Sequence, residues 1–288
     1  MQTANTDRKK GKNVFPVFCV IIIKKIMENN ENNIHNIDVN IICDFFIRNR
    51  RQGPGSNEAT KCAFQFLPKY DCNALFLDLG SGTGSQTFAL AESTEAKIIA
   101  IDLFKPFIDV LNAQAKRKCV SEKVQGIVGS MDNLPFEKES IDVIWCEGAI
   151  YNIGFQYGIN YWRSFLKPDG YIAISESVWL TNSHPSEIYD FWNECYPEID
   201  TIDAKIRQLQ DAGYKVISSF ILPENCWTEN YYIPMEGIKQ AFLADNPGND
   251  FAENFIAHIT HEAELYDKYH DYYGYAFFIA QKVCDMAK

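Results

Sequence analysis

The chain has 288 residues, of which 47% are hydrophobic and 23% charged, with a formal net charge of −11. This composition is typical of an ordinary globular chain and excludes a largely disordered one. Residues 1–26 hold six Lys or Arg and one Asp, which leaves 21 basic and 37 acidic side chains in the rest, a charge of −16. A surface this acidic repels phosphate backbones, so we expect a small-molecule substrate and no nucleic acid partner.

Residues 1–26 are set apart from the predicted fold. An apolar run from Val14 to Ile23 lies between lysines and resembles the core of a signal peptide. It is too short to span a bilayer, and no small-residue cleavage site follows it. Met27 opens a polar stretch, so we interpret residues 1–26 as either a disordered extension or the product of an upstream start site. We predict one domain over residues 27–288.

The nine cysteines are scattered, without a CxxC pair or a Cys/His run at the spacing of zinc ligands. An odd number of unpaired cysteines fits reduced thiols. We therefore predict a cytoplasmic protein with no metal and no membrane association. The sequence leaves the oligomeric state open.

The predicted elements alternate between strands and helices after two N-terminal helices. The first helix is expected from Ile34 to Phe45, and the second ends near Leu67, before Pro68. Strands are expected at 74–79, 97–101, 124–128, 141–146, 171–177, 214–222 and 273–282, and helices at 86–92, 106–118 and 156–166. This alternation predicts an α/β fold, a doubly wound Rossmann-like sheet of seven strands with the last one antiparallel.

Two long stretches interrupt the alternation, at about 178–212 and 224–270. Both are rich in aromatic and acidic residues, and neither contains a repeat or a low-complexity linker. We interpret them as helical cap insertions on a single domain. Their aromatic residues from Trp227 to Tyr232 and from Tyr266 to Tyr275 form either the core of the cap or a lid suited to a cationic or planar acceptor.

A glycine-rich turn follows the first predicted strand. Gly80, Gly82 and Gly84 expose backbone N–H groups at the start of a helix, where a ligand can approach closely. Asp102 stands 22 residues after Gly80 at the end of the next predicted strand, where a carboxylate accepts hydrogen bonds from ribose hydroxyls. The two features predict a nucleoside-containing cofactor. Ser85 replaces the Gly or Ala of a dinucleotide-binding loop, which disfavours a nicotinamide-dependent oxidoreductase.

These motifs resemble those of the class I S-adenosylmethionine-dependent methyltransferases, in particular the small-molecule group labelled type 11. The resemblance covers about Arg50 to Ser177. LDLGSGTG at 77–84 looks like the first motif of the family, GSMDNLPF at 129–136 like its adenine-binding motif, and DVIWCEGAIYNIGF at 142–155 like its fourth motif. The fourth segment lacks the Asn/Asp-Pro-Pro-aromatic signature of enzymes that methylate base amino groups.

The resemblance implies that S-adenosylmethionine binds across these motifs. Asp78 and the glycine loop would hold the methionine portion, and Asp102 the ribose. Met131 and Asp132 would lie beside the adenine, whereas many relatives carry an acid where Ser130 stands. The implied cofactor-binding residues are Gly53, Gly55, Asp78, Gly80, Ser81, Gly82, Gly84, Asp102, Leu103, Ser130, Met131, Asp132 and Glu147.

The turn that contains Gly53 and Gly55 precedes this core. It either folds over the carboxylate of the cofactor or is a plain turn, and Arg50 and Arg51 are candidate anion contacts.

The resemblance also implies methyl transfer to a small molecule by in-line displacement, in which catalysis is largely positioning in a water-poor site. Glu147, Tyr151 and His184 are the candidate catalytic bases. Each has an alternative: Glu147 caps a turn or binds the amino group of the cofactor, Tyr151 is a wall of the site, and His184 lies at a helix entry. An alternative function is a catalytically silent S-adenosylmethionine-binding protein that serves as a sensor or partner subunit.

Overall fold

The structure, a computed structural model, describes residues 37–283. The interpretation of residues 1–26 and the predicted helix start at Ile34 fall outside the described residues. The helices are α1 (Ile37–Ile47), α2 (Asn57–Phe64), α3 (Ser85–Ser93), α4 (Lys105–Arg117), α5 (Phe155–Arg163), α6 (Ser186–Cys195), α7 (Ile202–Asp211), α8 (Ile233–Asp245) and α9 (Asp250–Tyr269). The strands are β1 (Leu75–Leu79), β2 (Lys97–Asp102), β3 (Val124–Val128), β4 (Ile141–Glu147), β5 (Leu166–Trp179), β6 (Asp200–Thr201), β7 (Tyr214–Ile221) and β8 (Tyr273–Lys282).

The strands form one sheet in the order β3-β2-β1-β4-β5-β8-β7. Strand β8 is antiparallel to both of its neighbours, and β1 to β5 pair in parallel. The predicted seven-stranded, doubly wound sheet with an antiparallel last strand is therefore confirmed. The structure adds the two-residue strand β6, which pairs with β5 off this path. Two residues are too few to show a periodicity, so the sequence gives no signal for it.

Both faces of the sheet are buried. In β4, Val143 and Trp145 point into one hydrophobic core, and Ile144 and Cys146 point into the other. Strands covered on both faces read as continuous apolar runs, which is how the sequence predicted them. The winding reverses between β1 and β4, so the carboxyl ends of β1, β2 and β4 open a crevice at one edge of the sheet.

Strand β5 is longer than the predicted strand at 171–177. At its start, Leu166 pairs with Ile141 across an irregularity in the register, and at its end Trp179 pairs with Tyr273 of β8. Pairing with strands distant in the sequence extends β5 at both ends. Because β5 begins early, α5 ends at Arg163 instead of the predicted residue 166.

The two predicted insertions differ in where their helices lie. In the first, Leu209 of α7 belongs to the same core as Trp162 and Tyr214, so α7 packs on the sheet. In the second, α8 and α9 pack against α1 through aromatic rings. The Phe45 ring centroid lies 5.2 Å from those of Phe242 and Phe255. Over residues 37–283, no helix combines the length and the apolar character needed to cross a membrane.

Replacement of Phe45 tests this aromatic packing. Its side chain is fully buried, so we expect Phe45→Ala to lower the free energy of unfolding by about 3–5 kcal/mol. Urea denaturation followed by circular dichroism measures the change. Phe66→Ala is the control, because Phe66 is 41% exposed and its loss should cost within about 0.5 kcal/mol. Equal effects of the two substitutions would contradict the packing described for α1.

Candidate active site

A cleft opens at the carboxyl ends of β1, β2 and β4. Its walls are the glycine loop after β1, the end of β2, residues 129–131, the segment after β4 and the turn at 51–54. The predicted site residues that line it are Arg51, Gly53, Gly80, Ser81, Gly82, Asp102, Leu103, Ser130, Met131, Glu147 and Tyr151. The cleft therefore brings together segments that the sequence analysis selected separately.

The glycine loop needs its glycines for conformation and space. Gly80 and Gly82 have φ values of 71° and 54°, in the left-handed region that other residues rarely adopt. A Cβ atom on Gly80 would lie 2.4 Å from the Cβ of Ala149. The backbone nitrogens of Gly80 and Ser81 donate to the Ile101 carbonyl of β2 at 2.8 and 3.0 Å. The loop is thus fixed to the neighbouring strand at its start.

The Asp102 carboxylate joins the loop to the end of β2. Its Oδ2 accepts a hydrogen bond from the Gly82 backbone nitrogen at 2.9 Å, and its Oδ1 accepts one from Phe104 at 3.0 Å. Burial raises the pKa of Asp102 to about 6, while the backbone donors Phe104 and Gly82 oppose the rise. Each oxygen has a further lone pair, so the group can still accept hydrogen bonds from a ligand in the cleft.

Glu147 also lines the cleft, and its side chain is only 5% exposed. Oε1 accepts hydrogen bonds from the Thr60 hydroxyl at 2.6 Å and from the Trp145 indole at 2.9 Å. Oε2 lies 3.4 Å from Nη1 of Arg51, whose Nη2 donates to Asn57. Donors from β4, α2 and the turn before α2 hold the carboxylate in one orientation.

Gln52 is a residue that the sequence analysis missed as a site candidate. Its Oε1 accepts a hydrogen bond from the Thr83 backbone nitrogen at 2.9 Å, and its Nε2 donates to the carbonyls of Phe46 and Asn49, both at 3.0 Å. The side chain thereby connects the end of α1 to the glycine loop. Its only signal in the sequence is its place in a polar segment between a helix and a glycine turn, which does not distinguish it from its neighbours.

The wall at 129–131 combines polar and apolar contacts. The Ser130 hydroxyl donates to Asp132, which places that carboxylate on the loop rather than in the cleft. The Met131 carbonyl accepts a hydrogen bond from the Trp162 indole at 2.8 Å. Leu103 and Met131 provide the apolar surface of this end. Trp162 is fully buried on α5, and its indole holds the backbone of Met131 in place. The sequence analysis did not select Trp162 as a site residue.

The structure places Asp78 beneath the glycine loop, outside the cleft lining. It is fully buried, and its carboxylate accepts hydrogen bonds from Thr87 at 2.5 Å and Gln86 at 3.4 Å. Burial raises its pKa to about 7. These hydrogen bonds join the side chain of Asp78 on β1 to the first turn of α3. The contact of Asp78 with the methionine portion of the cofactor, which the resemblance implies, stays a prediction.

Three other predicted residues also lie outside the cleft lining. Gly84 lies immediately before α3. It packs so closely against Leu111 and Phe88 that there is no room for a side chain. The Gly55 nitrogen donates to the Cys226 carbonyl at 3.1 Å. Arg50 belongs to a separate surface cleft.

His184 is likewise outside the lining of the cleft. Its ring lies over Trp179, with 3.9 Å between the ring centroids, and Nε2 is 2.8 Å from the Thr181 carbonyl oxygen. Ring stacking at the end of β5 holds the histidine there. Tyr151 does line the cleft, and a catalytic role for His184 stays a prediction.

Comparison with known proteins identifies the class of domain. A family model described as a methyltransferase domain matches residues 76–170. Among curated relatives, the uncharacterised protein YjhP of Escherichia coli is 27% identical over 67% of this chain and 78% of its own length. O-methyltransferase cnsE of Penicillium expansum is 27% identical over 52% of this chain, and this chain spans about half of it, 55%.

Solved structures show the same fold. A methyltransferase from Geobacter sulfurreducens, described as S-adenosylmethionine-dependent and crystallised with S-adenosylhomocysteine, superimposes with a TM-score of 0.72 at 20% identity, over 84% of this chain and 97% of that one. The YjhP structure gives a TM-score of 0.73 at 23% identity, over 83% and 98%. The match of residues 76–170 to a methyltransferase domain agrees with the predicted methyltransferase class, and these structures confirm the fold. The cofactor and the type 11 grouping stay predictions.

Loss of the Gln52 side chain should loosen the glycine loop. We expect Gln52→Ala to weaken binding of S-adenosylhomocysteine about tenfold, because the Thr83 nitrogen loses its acceptor and the loop must be ordered on binding. Calorimetric titration measures the affinity. Gln65→Ala, at an exposed glutamine after α2, is the control and should leave the affinity unchanged. An unaltered affinity in Gln52→Ala would show that the loop is held without this side chain.

Proposed function

We propose that this chain, which belongs to the class I S-adenosylmethionine-dependent methyltransferases, transfers a methyl group to a small-molecule acceptor. The observation that carries the proposal is the set of groups that line one cleft. The cleft combines apolar side chains at Leu103 and Met131, the carboxylate of Asp102 and the Arg51–Glu147 ion pair. This set matches a ligand with an aromatic base, a ribose and an amino acid end.

Each group has a chemical partner in the cofactor. Asp102 would accept hydrogen bonds from the two ribose hydroxyls. Leu103 and Met131 would enclose the adenine. Glu147 would bind the amino group and Arg51 the carboxylate, since each complements the opposite charge. When bound, S-adenosylmethionine supplies a methyl group made electrophilic by its sulfonium.

Near Glu147 and Tyr151, the side chains orient the substrates and do not transfer a proton from the acceptor. Glu147 is held by Thr60, Trp145 and Arg51, so it is suited to binding a fixed charge and not to moving a proton. Tyr151 lines the cleft, and its ring lies 6.0 Å from that of Tyr196. We assign Tyr151 to the wall of the acceptor side. In-line displacement then depends on orientation and on exclusion of water.

A small-molecule acceptor is supported by two features. The charge of −16 on residues 27–288 disfavours a polyanionic substrate. Enzymes that methylate base amino groups have an Asn/Asp-Pro-Pro-aromatic sequence at the end of β4. This chain carries Glu147, Gly148 and Ala149 there instead.

Calorimetric titration with S-adenosylmethionine, S-adenosylhomocysteine and NAD tests cofactor binding. We expect micromolar affinity for the two sulfur nucleosides and at least about a 100-fold loss in Asp102→Ala, because two hydrogen bonds to a charged group disappear. Asp211→Ala, at an exposed position that ends α7, is the control. A preference for NAD would contradict the proposal. Cofactor binding without turnover on any acceptor would instead support a silent binding protein.

The pH dependence of cofactor affinity follows from the raised pKa of Asp102, about 6. Below that pH the free carboxyl is protonated, and the proton must leave before both oxygens can accept ribose hydroxyls. The affinity for S-adenosylhomocysteine should be constant above pH 6 and fall as the pH drops below it, by up to about tenfold per unit. Asp102→Asn should bind more weakly and lose this dependence. A dependence that persists in Asp102→Asn would assign the titration to another group.

A further inference from the structure

A second cleft adjoins the glycine loop and shares no lining residue with the first cleft. It has a volume of about 350 Å³ and lies among α1, α2, α3, α4 and the turn after α1. Thr83 of the glycine loop lines the second cleft, and its backbone nitrogen donates to Gln52, which lines the first. The two clefts are thus neighbouring but separate sites, and the second is large enough for a small organic molecule.

The lining of the second cleft is basic, although residues 27–288 together carry a charge of −16. Its charged side chains are those of Arg48, Arg50, Glu92 and Lys118. Two of these four charges are already compensated. Arg48 pairs with Asp44 at 2.5 Å and with Asp245 at 2.7 Å, and Glu92 pairs with Lys61 at 2.7 Å. The positive charges of the other two side chains remain in excess.

Arg50 and Lys118 reach the second cleft from different elements. Arg50 lies in the turn after α1, and Lys118 follows α4, where its ammonium is 5.4 Å from the centroid of the Phe88 ring. The Lys61 hydrogen bond lowers the pKa of the Glu92 carboxyl, burial opposes this, and the charges of Lys118 and Arg50 lower it further. Both cations therefore lie near the same side chain of α3. Within residues 37–283, neither of them forms an ion pair of its own.

Uncharged groups add further hydrogen-bond donors to the second cleft. Oδ1 of Asn57 accepts a hydrogen bond from Arg51, which leaves Nδ2 of Asn57 available to donate. The amide of Gln114 is half-buried and forms no hydrogen bond to another group in residues 37–283. The Ser85 hydroxyl donates to the Arg50 carbonyl at 2.5 Å and so fixes the backbone of Arg50 to the start of α3.

These groups suit a doubly charged anion on an organic body. A guanidinium binds two phosphate oxygens at once, and an ammonium adds a point charge. Two cations match the charge of about −2 on a phosphomonoester at neutral pH, whereas a carboxylate carries only one charge. Ile47 and Phe88 supply apolar surface that a bare phosphate ion would not use.

We propose that the second cleft binds a small phosphorylated organic molecule. Its phosphate lies between Arg50 and Lys118, and its organic part lies against Ile47 and Phe88. This site is distinct from the cofactor cleft, so the inference stands apart from the proposed function.

Calorimetric titration of the full-length protein with phenyl phosphate, benzoate and inorganic phosphate tests the proposal. No cofactor is added, so the outcome does not depend on the proposed function. We expect phenyl phosphate to bind at least about tenfold more tightly than benzoate, which carries one charge less. It should exceed inorganic phosphate by a similar factor, because only phenyl phosphate buries an apolar ring.

Two substitutions locate the binding site. Arg50→Gln and Lys118→Gln should each weaken phenyl phosphate binding about tenfold or more, because each removes one of the two charges. Both residues are exposed, so neither substitution disturbs the core. Lys116→Gln is the matched control, since Lys116 is an exposed lysine in the last turn of α4 and does not line the cleft. It should leave the affinity unchanged.

Each contrary result overturns a stated part of the proposal. If phenyl phosphate does not bind at millimolar concentrations, or if neither substitution weakens its binding, the second cleft is not a phosphate site. Equal affinity for benzoate would overturn the choice of phosphate over carboxylate. Equal affinity for inorganic phosphate would overturn the organic body of the ligand.

Discussion

The hydrogen bonds between the glycine loop and the end of β2 are the interaction on which the site depends. The nitrogens of Gly80 and Ser81 donate to Ile101, and that of Gly82 to Asp102, so loop and strand act as one unit. Gly80 and Gly82 adopt positive φ in this contact, a conformation that residues with a side chain rarely adopt. The same contact orients the Asp102 carboxylate and leaves its remaining lone pairs available to a ligand.

Segments far apart in the sequence complete the site around that unit. Gln52 ties the end of α1 to the glycine loop, while Thr60 and Arg51 hold Glu147 from the opposite side. The contact between Gly55 and Cys226 joins the same turn to the second insertion. Direct hydrogen bonds therefore join the glycine loop, the N-terminal turn and the second insertion.

The sequence predicted the parts of the site that local patterns encode. Short apolar runs located β1 and β2, and the loop glycines with Asp102 followed from the spacing of a strand, a turn and a helix. Gln52 and Trp162 act through partners 31 residues away, and no local pattern records such contacts. The hydrogen bonds of Asp78 to Gln86 and Thr87 of α3 likewise leave no signal in the spacing of the glycine motif. Stacking on Trp179, also invisible in the sequence, keeps His184 from the cleft.

A crystal structure of the complex with S-adenosylhomocysteine tests the central claim most directly. The account predicts both ribose hydroxyls on Asp102, the adenine between Leu103 and Met131, and the amino acid end at Arg51 and Glu147. It also predicts that the sulfur atom faces the side of the cleft where Tyr151 and Gly148 lie. A ligand bound elsewhere, or bound in the cleft without contact to Asp102, would contradict the account.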